Sequence, residues 1–335
     1  MHIQHNISLK PFNSFGIAVK ANRFVILNNL DLLPEVFHEN KTETLVLGGG
    51  SNILFTKDYN GLVIKNEISG IELLREDAEN IYIKAGAGVV WHRFVMNCIQ
   101  NNYAGVENLA LIPGCVGASP IQNIGAYGVE IQQVLHEVEA YHKFDRAFVR
   151  LNNRDCAFGY RDSVFKRKYK NQLCITSVTY QLKKKPAFNI SYGAIEKELE
   201  QMNVPELSIA AVAQAVINIR SSKLPDPAKI GNAGSFFKNP EVDHEQFEKL
   251  KTSFPNIVGF DLPGNKTKLA AGWLIEQCGW KGFRRGDAGC HKNQALVLVN
   301  FGNAGGDEIL QLSNEIITSV QQKFEVQLER EVNII

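Results

Sequence analysis

Thr44-Leu45-Val46-Leu47-Gly48-Gly49-Gly50-Ser51-Asn52 is a short apolar run emptying into three glycines, a hydroxyl and an amide. That is the pattern of a buried strand ending in a turn. The familiar phosphate loops do not match it. A dinucleotide fingerprint beginning at Gly48 needs glycine at position 53, where Ile53 stands, and no Gly-Lys-Ser/Thr follows to close a Walker loop. What remains is a row of N–H groups with little side-chain bulk around them, able to form a concave nest for an anion such as a pyrophosphate. A tight structural turn is the competing reading, and this stretch alone weighs the two about equally.

Outward from this loop the first half of the chain reads as strand-rich. Gly61 to Lys65 and Ile81 to Ala85 are strands punctuated by glycine, Val89 to Gln100 has helical spacing, and Val134 to His142 and Leu173 to Leu182 alternate as strands. Asn152 to Phe158 reads as a short helix between the last two. A second glycine region runs from Ile112 to Gly128, through Pro113, Gly114, Gly117, Ala118, Gln122, Asn123, Gly125, Ala126 and Tyr127. Its prolines and glycines speak against regular structure, yet it carries amides and apolar residues where a disordered loop would carry charge. Long ordered loops of this kind usually touch a ligand.

Lys183-Lys184-Lys185-Pro186 marks a boundary, giving portions 1–185, divided near residue 66, and 186–335. Beyond it helices are expected over Ile195 to Met202, Leu207 to Ser221, Thr267 to Cys278 and Asp307 to Phe324, with strands at Gly234 to Lys238, Gln294 to Asn300 and Glu325 to Ile334. The class is therefore α+β. Within this half, Gly231-Asn232-Ala233-Gly234-Ser235-Phe236-Phe237-Lys238-Asn239-Pro240 runs small residues up to one hydroxyl, followed by two aromatics, a cation and an amide. The glycines let a ligand approach and the phenylalanine pair can anchor the segment, so Ser235 would be held as a proton-bearing group. An isolated Gly-Ser pair is more often just a hydrogen-bonded turn.

Composition excludes several functions. With 36 Lys and Arg against 35 Asp and Glu, there is no global basic field for nucleic acid or an anionic membrane. Six cysteines without C-x-x-C spacing and eight histidines without H-E-x-x-H point to neither a metal site nor a disulfide framework. Met1 to Gly16 lacks an apolar run of signal-peptide length, and the expected compartment is the cytoplasm.

Taken in order, Gly48 to Asn52, Ile112 to Gly128, Tyr160-Arg161-Asp162-Ser163, Lys223-Leu224-Pro225-Asp226-Pro227 and Gly231 to Pro240 resemble the UDP-N-acetylenolpyruvoylglucosamine reductase family, from about Leu9 to the C-terminus. Ser191-Tyr192-Gly193-Ala194 resembles the tyrosine loop of the form that carries one. The resemblance implies an FAD-binding portion of the vanillyl-alcohol-oxidase type, built of two α+β subdomains, followed by an α+β substrate-binding domain whose C-terminal strand returns to the active site. It implies non-covalent FAD, NADPH as reductant, small-molecule substrates, and reduction of UDP-N-acetylglucosamine enolpyruvate to UDP-N-acetylmuramate for peptidoglycan. Ser235 is similar to the family's proton donor, Arg161 and Glu331 to its other catalytic residues, and the two glycine regions to its FAD cradle. Tyr160, Tyr192, Lys223, Asn239 and Gln294 match substrate-binding positions. One residue departs from the pattern: Asn333 stands where related sequences usually have arginine. An oxidase sharing the FAD architecture and a non-catalytic flavin scaffold are the alternatives.

Overall fold

A computed structural model describes residues 1–38 and 43–335. The chain divides into two compact units: residues 1–7, 21–49 and 60–222 in the first, and residues 8–20, 50–59 and 223–335 in the second. Both units are discontinuous, and residues 186–222 fall in the first.

In the first unit a five-stranded antiparallel sheet has the spatial order Ala147–Asn152, Leu135–His142, Leu173–Lys183, Asn80–Gly86, Ile71–Glu76. Leu173–Lys183 is buried along nearly its whole length, with Val178, Tyr180 and Leu182 fully enclosed. The helix Trp91–Gln100 lays Trp91, Phe94, Val95 and Cys98 into the same core, where Phe94 meets Tyr180 at 4.6 Å between ring centres. Thr44–Leu47 pairs in parallel with Tyr59–Asn66, with Leu47 opposite Lys65. It lies at a sheet edge, so only Leu47 is buried, and the continuous burial expected of this strand is confined to its last residue before the glycines.

The second unit holds two small antiparallel sheets and the helix Gly306–Phe324. That helix buries Ile309, Leu312, Ile316, Val320 and Phe324 on one face, as its spacing predicts. Its start is fixed when Glu308 accepts the Gly305 N–H at 2.6 Å, half of a capping box. No helix among the described residues is long and apolar enough to cross a membrane.

Several expected elements fold differently. Thr267 to Cys278 is a strand, Lys266–Leu269, followed by a helix, Ala271–Gln277. The strand is claimed by partners on both sides, Glu241–Asp243 and Gly259–Leu262, and tertiary pairing overrides the helical periodicity. Asn152 to Phe158 is not a helix. Asn152 and Asp155 exchange backbone-to-side-chain bonds of 3.0 and 3.1 Å, closing one turn that Ala157, at φ 44°, terminates. Among the described residues Gly234 to Lys238 makes one bridge, Phe237 to Arg330, through the Glu331 N–H on the Phe236 carbonyl and the Lys238 N–H on the Glu329 carbonyl, while the Phe236 N–H turns away to Leu296 O. The C-terminal strand shrinks to Asn333–Ile334 and the central one to Leu298–Asn300.

A β-carbon on Gly306 would sit 1.7 Å from the Phe55 carbonyl oxygen, whereas one on Gly286, at φ 59°, would meet nothing within 4 Å. Gly306→Ala is expected to destabilise by about 3 kcal/mol, through forced backbone movement. Gly286→Ala is expected to cost about 1 kcal/mol, through its left-handed conformation alone. Denaturant unfolding of the two variants side by side checks the ordering.

Candidate active site

Glycine is required where the two loops of the first unit meet. A β-carbon on Gly49 would lie 2.8 Å from the Gly114 α-carbon, so only bare backbone fits, while Gly48 would make an ordinary 3.6 Å contact with Cys115. Gly117 is closed against Ala87 in the same way, at 2.6 Å. Gly50, in the second unit, combines φ 60° with 2.0 Å to the Phe12 carbonyl oxygen. The division between units thus falls inside the triple-glycine stretch, and Ser51 and Asn52 belong to the second unit.

The expected irregular stretch up to Gly128 contains a minimal hairpin. Gly125 pairs with Glu130 and Ala126 with Val129 around Tyr127 and Gly128, at φ 50° and 80°. Two positive φ values suit the right-handed twist of a two-residue hairpin. Asn123, fully buried at φ 45°, donates to Glu130 at 2.8 Å and to the Gly159 carbonyl at 3.1 Å, and accepts from the Gln132 N–H at 3.0 Å. Arg161, at φ 53°, donates through Nη2 to the Gly125 carbonyl at 2.9 Å, and its guanidinium lies 5.5 Å from the Tyr160 ring centre. Each left-handed non-glycine residue costs roughly 1–2 kcal/mol. Asn123, Tyr127 and Arg161 together therefore mark a place where conformation is set by something other than local preference. Tyr192 is more than half exposed, and a β-carbon on Gly128 would approach its own at 3.2 Å, so the tyrosine segment adjoins the hairpin.

In the second unit, Gly234 at φ 69° has its N–H fixed by Asn232 Oδ1 at 3.0 Å. Phe236 and Phe237 are buried against each other and Phe15, which holds the half-buried Ser235 in place. The Ser235 hydroxyl makes no hydrogen bond among the described residues. The N–H of Glu331 donates to the Phe236 carbonyl at 2.8 Å, so Ser235 and Glu331 are carried on adjacent bonded segments. Asn239 accepts the Ala271 N–H at 3.0 Å, and Gln294 accepts the Leu296 N–H at 3.3 Å. Both amides keep their NH2 groups for other acceptors. Lys223 ends the helix Ile209–Lys223 and is exposed. The structure therefore gathers Gly48, Gly49, Pro113, Gly114, Gly117, Ala118, Gln122, Asn123, Gly125, Ala126, Tyr127, Tyr160, Arg161 and Tyr192 in the first unit. Gly50, Ser51, Asn52, Lys223, Ser235, Asn239, Gln294 and Glu331 lie in the second.

Sequence reasoning missed the supports of these loops. Asn108, buried, donates to the Tyr127 carbonyl at 2.9 Å and the Asn189 carbonyl at 2.7 Å. Leu111, at φ 59°, gives its N–H to His92 Nδ1 at 3.1 Å and receives Arg220 Nε on its carbonyl at 3.3 Å. Burial, and secondarily the Arg220 charge, hold the His92 imidazole below its ordinary range, so it is neutral with its proton on Nε2. Burial likewise pulls the Arg220 guanidinium down and pushes the Tyr127 phenol up. No spacing rule connects residues so far apart in the chain. The backbone crowding at Gly49 and the strained hairpin fit a ligand recognised by main-chain groups, as a flavin nucleotide's pyrophosphate is.

Comparison with known proteins gives these features a class. Residues 32–143 match the FAD binding domain family, and residues 226–335 match the C-terminal domain of UDP-N-acetylenolpyruvoylglucosamine reductase. The chain is a flavin-dependent oxidoreductase of α+β architecture. It is 47% identical to the UDP-N-acetylenolpyruvoylglucosamine reductase of Flavobacterium johnsoniae and 48% identical to that of Amoebophilus asiaticus, with all of each chain covered. The crystal structure of that reductase from Thermus caldophilus shares the fold, with a TM-score of 0.68 and 24% identity over 100% of this chain and 99% of that one. The chain belongs to the UDP-N-acetylenolpyruvoylglucosamine reductase family.

The His92 environment makes acid sensitivity testable. Its folded-state pKa is depressed below the ordinary 6.5, so its contribution to stability is present above 6.5 and is lost as pH falls through the folded value. His92→Asn, which keeps an acceptor for the Leu111 N–H, is expected to flatten the loss of stability between about pH 7 and 5. Urea midpoints of wild type and variant across that interval check it.

Proposed function

We propose that this protein reduces UDP-N-acetylglucosamine enolpyruvate to UDP-N-acetylmuramate with NADPH, using non-covalently held FAD, as a cytoplasmic enzyme acting on free small molecules in peptidoglycan precursor synthesis. Membership of the reductase family supports the reaction, and the FAD binding domain supports the cofactor. A net charge of +1 argues against a nucleic-acid or membrane partner. The observation that carries the reading at the level of residues is Ser235, held on a glycine turn with its hydroxyl uncommitted, on a segment bonded to that of Glu331.

FAD, when bound, would supply hydride transfer from a nicotinamide donor to the vinyl β-carbon of the substrate. The chain's own residues have then to manage charge and a proton. Hydride addition leaves negative charge spread between the α-carbon and the substrate carboxylate. The Arg161 guanidinium stabilises that charge, and it does so more strongly as the charge develops. Ser235 Oγ donates its proton to the α-carbon, completing addition of hydride and proton across the double bond. A serine hydroxyl is a feeble acid at neutral pH, and the step relies on the strong basicity of the enolate and on exclusion of water. Glu331 bonds to the carboxylate region when protonated, or orients a neighbour when ionised.

Recognition of the nucleotide calls on side-chain donors. Lys223 and Tyr192 suit phosphate oxygens, Tyr160 adds a hydroxyl beside Arg161, and the free NH2 groups of Asn239 and Gln294 suit carbonyl and hydroxyl acceptors on uracil and sugar. Gly48, Gly49, Gly50, Ser51 and Asn52, with Pro113, Gly114, Gly117, Ala118, Gln122, Asn123, Gly125, Ala126 and Tyr127, would hold FAD through main-chain groups.

Two outcomes are expected. Acid precipitation of the yellow protein releases the flavin into the supernatant; colour in the pellet means covalent attachment and a different cofactor chemistry. In anaerobic stopped-flow absorbance, Ser235→Ala is bleached by NADPH at near wild-type rate, while recovery on adding the enolpyruvyl nucleotide slows at least ~10²-fold. Normal recovery would remove Ser235 from the proton transfer.

A further inference from the structure

Asn333 gives two donors to a single main-chain oxygen. Its backbone N–H and its side-chain Nδ2 both donate to the Asn52 carbonyl, at 3.2 and 2.9 Å. Asn52 answers with its own side chain, whose Nδ2 donates to the Glu331 carbonyl at 3.3 Å. The Glu331 N–H is meanwhile bonded to the Phe236 carbonyl at 2.8 Å, next to Ser235. Glu331 is therefore fixed at both ends of its main chain, one end to the serine segment and the other to Asn52. The parallel ladder is two residues long on each side, Asn333 and Ile334 against Ile53 and Leu54, and is closed by Ile335 carbonyl bonds to the Thr56 N–H and hydroxyl at 2.7 and 2.8 Å.

We propose that Asn333 is a positioning residue that clamps the Glu331 segment to Asn52 through a main-chain lock. Two donors from one residue use both lone pairs of the Asn52 carbonyl. A neutral amide on a short stem does this at little cost in side-chain freedom. The inference rests on the assignment of Asn52 to the cofactor loop and of Glu331 to the site made above. It adds to that reading a residue that acts through both without touching substrate.

Asn333→Asp keeps the shape, removes the donor and sets a carboxylate against a carbonyl; Asn333→Gln keeps the donor. In amide hydrogen exchange of the holoenzyme, Asn333→Asp is expected to speed exchange at Glu331 and Ile335 about tenfold and Asn333→Gln to restore much of the protection. Flavin release, followed by fluorescence, should quicken several-fold in Asn333→Asp, and kcat should fall about 3- to 10-fold while KM for the enolpyruvyl nucleotide stays within about twofold. Unchanged exchange and flavin release in Asn333→Asp overturn the inference, as does an equal loss in Asn333→Asp and Asn333→Gln. A wild-type enzyme inert toward the enolpyruvyl nucleotide would overturn the proposed reaction instead, and exchange and flavin release would still decide the role of Asn333.

Discussion

Close approach of bare backbone at Gly49 and Gly114 governs the chemistry available to the first unit. With 2.8 Å between an imagined β-carbon and the opposing α-carbon, any side chain at position 49 would push the two loops apart. What the loops offer a ligand there is main chain, which recognises a pyrophosphate through N–H groups and has no charge of its own to desolvate. The hairpin beyond them is held by amide side chains. Asn123 and Asn108 each satisfy two backbone carbonyls or carboxylate and carbonyl acceptors, so strained residues such as Tyr127 are fixed from behind.

The second unit solves a different problem, the placement of one hydroxyl. Phe236 and Phe237 occupy core positions just after the turn at Gly234, and their aromatic contacts, with Phe15, resist movement of the main chain there. Serine is suited to the end of such a segment because it loses little side-chain entropy on being held. The same Phe236 spends its N–H on Leu296 and its carbonyl on Glu331, so a single residue ties the serine segment to the Gln294 turn and to the C-terminal segment.

Much of this was legible in the sequence, and the limits have identifiable causes. The helix at Gly306–Phe324 follows from one apolar face repeated over five turns, a signal that local chemistry generates and tertiary structure merely accepts. Thr267 shows the opposite case. Its neighbourhood has helical spacing, but the strand Lys266–Leu269 is sandwiched between two others, and the Thr267 hydroxyl is spent on His244 Nδ1 at 3.2 Å. The glycine loops and Ser235 stood out because clustered glycines strip side-chain bulk from a stretch of backbone, which marks turns and close approaches. Leu111, His92 and Arg220 did not, since a leucine at φ 59° leaves no mark on the sequence and its two side-chain partners come from distant segments.

Asn333 lies between these extremes. As a letter in the sequence it gives no sign of what it holds. In three dimensions the same residue supplies two donors to one carbonyl, and the partner residue returns a bond to the carbonyl of Glu331. A strand of two residues has almost no cooperativity to protect it from fraying, so each added side-chain bond shifts its opening equilibrium by a large fraction of the local stability. The Glu331 segment is then positioned by hydrogen bonds to main chain, whose places are set by the fold.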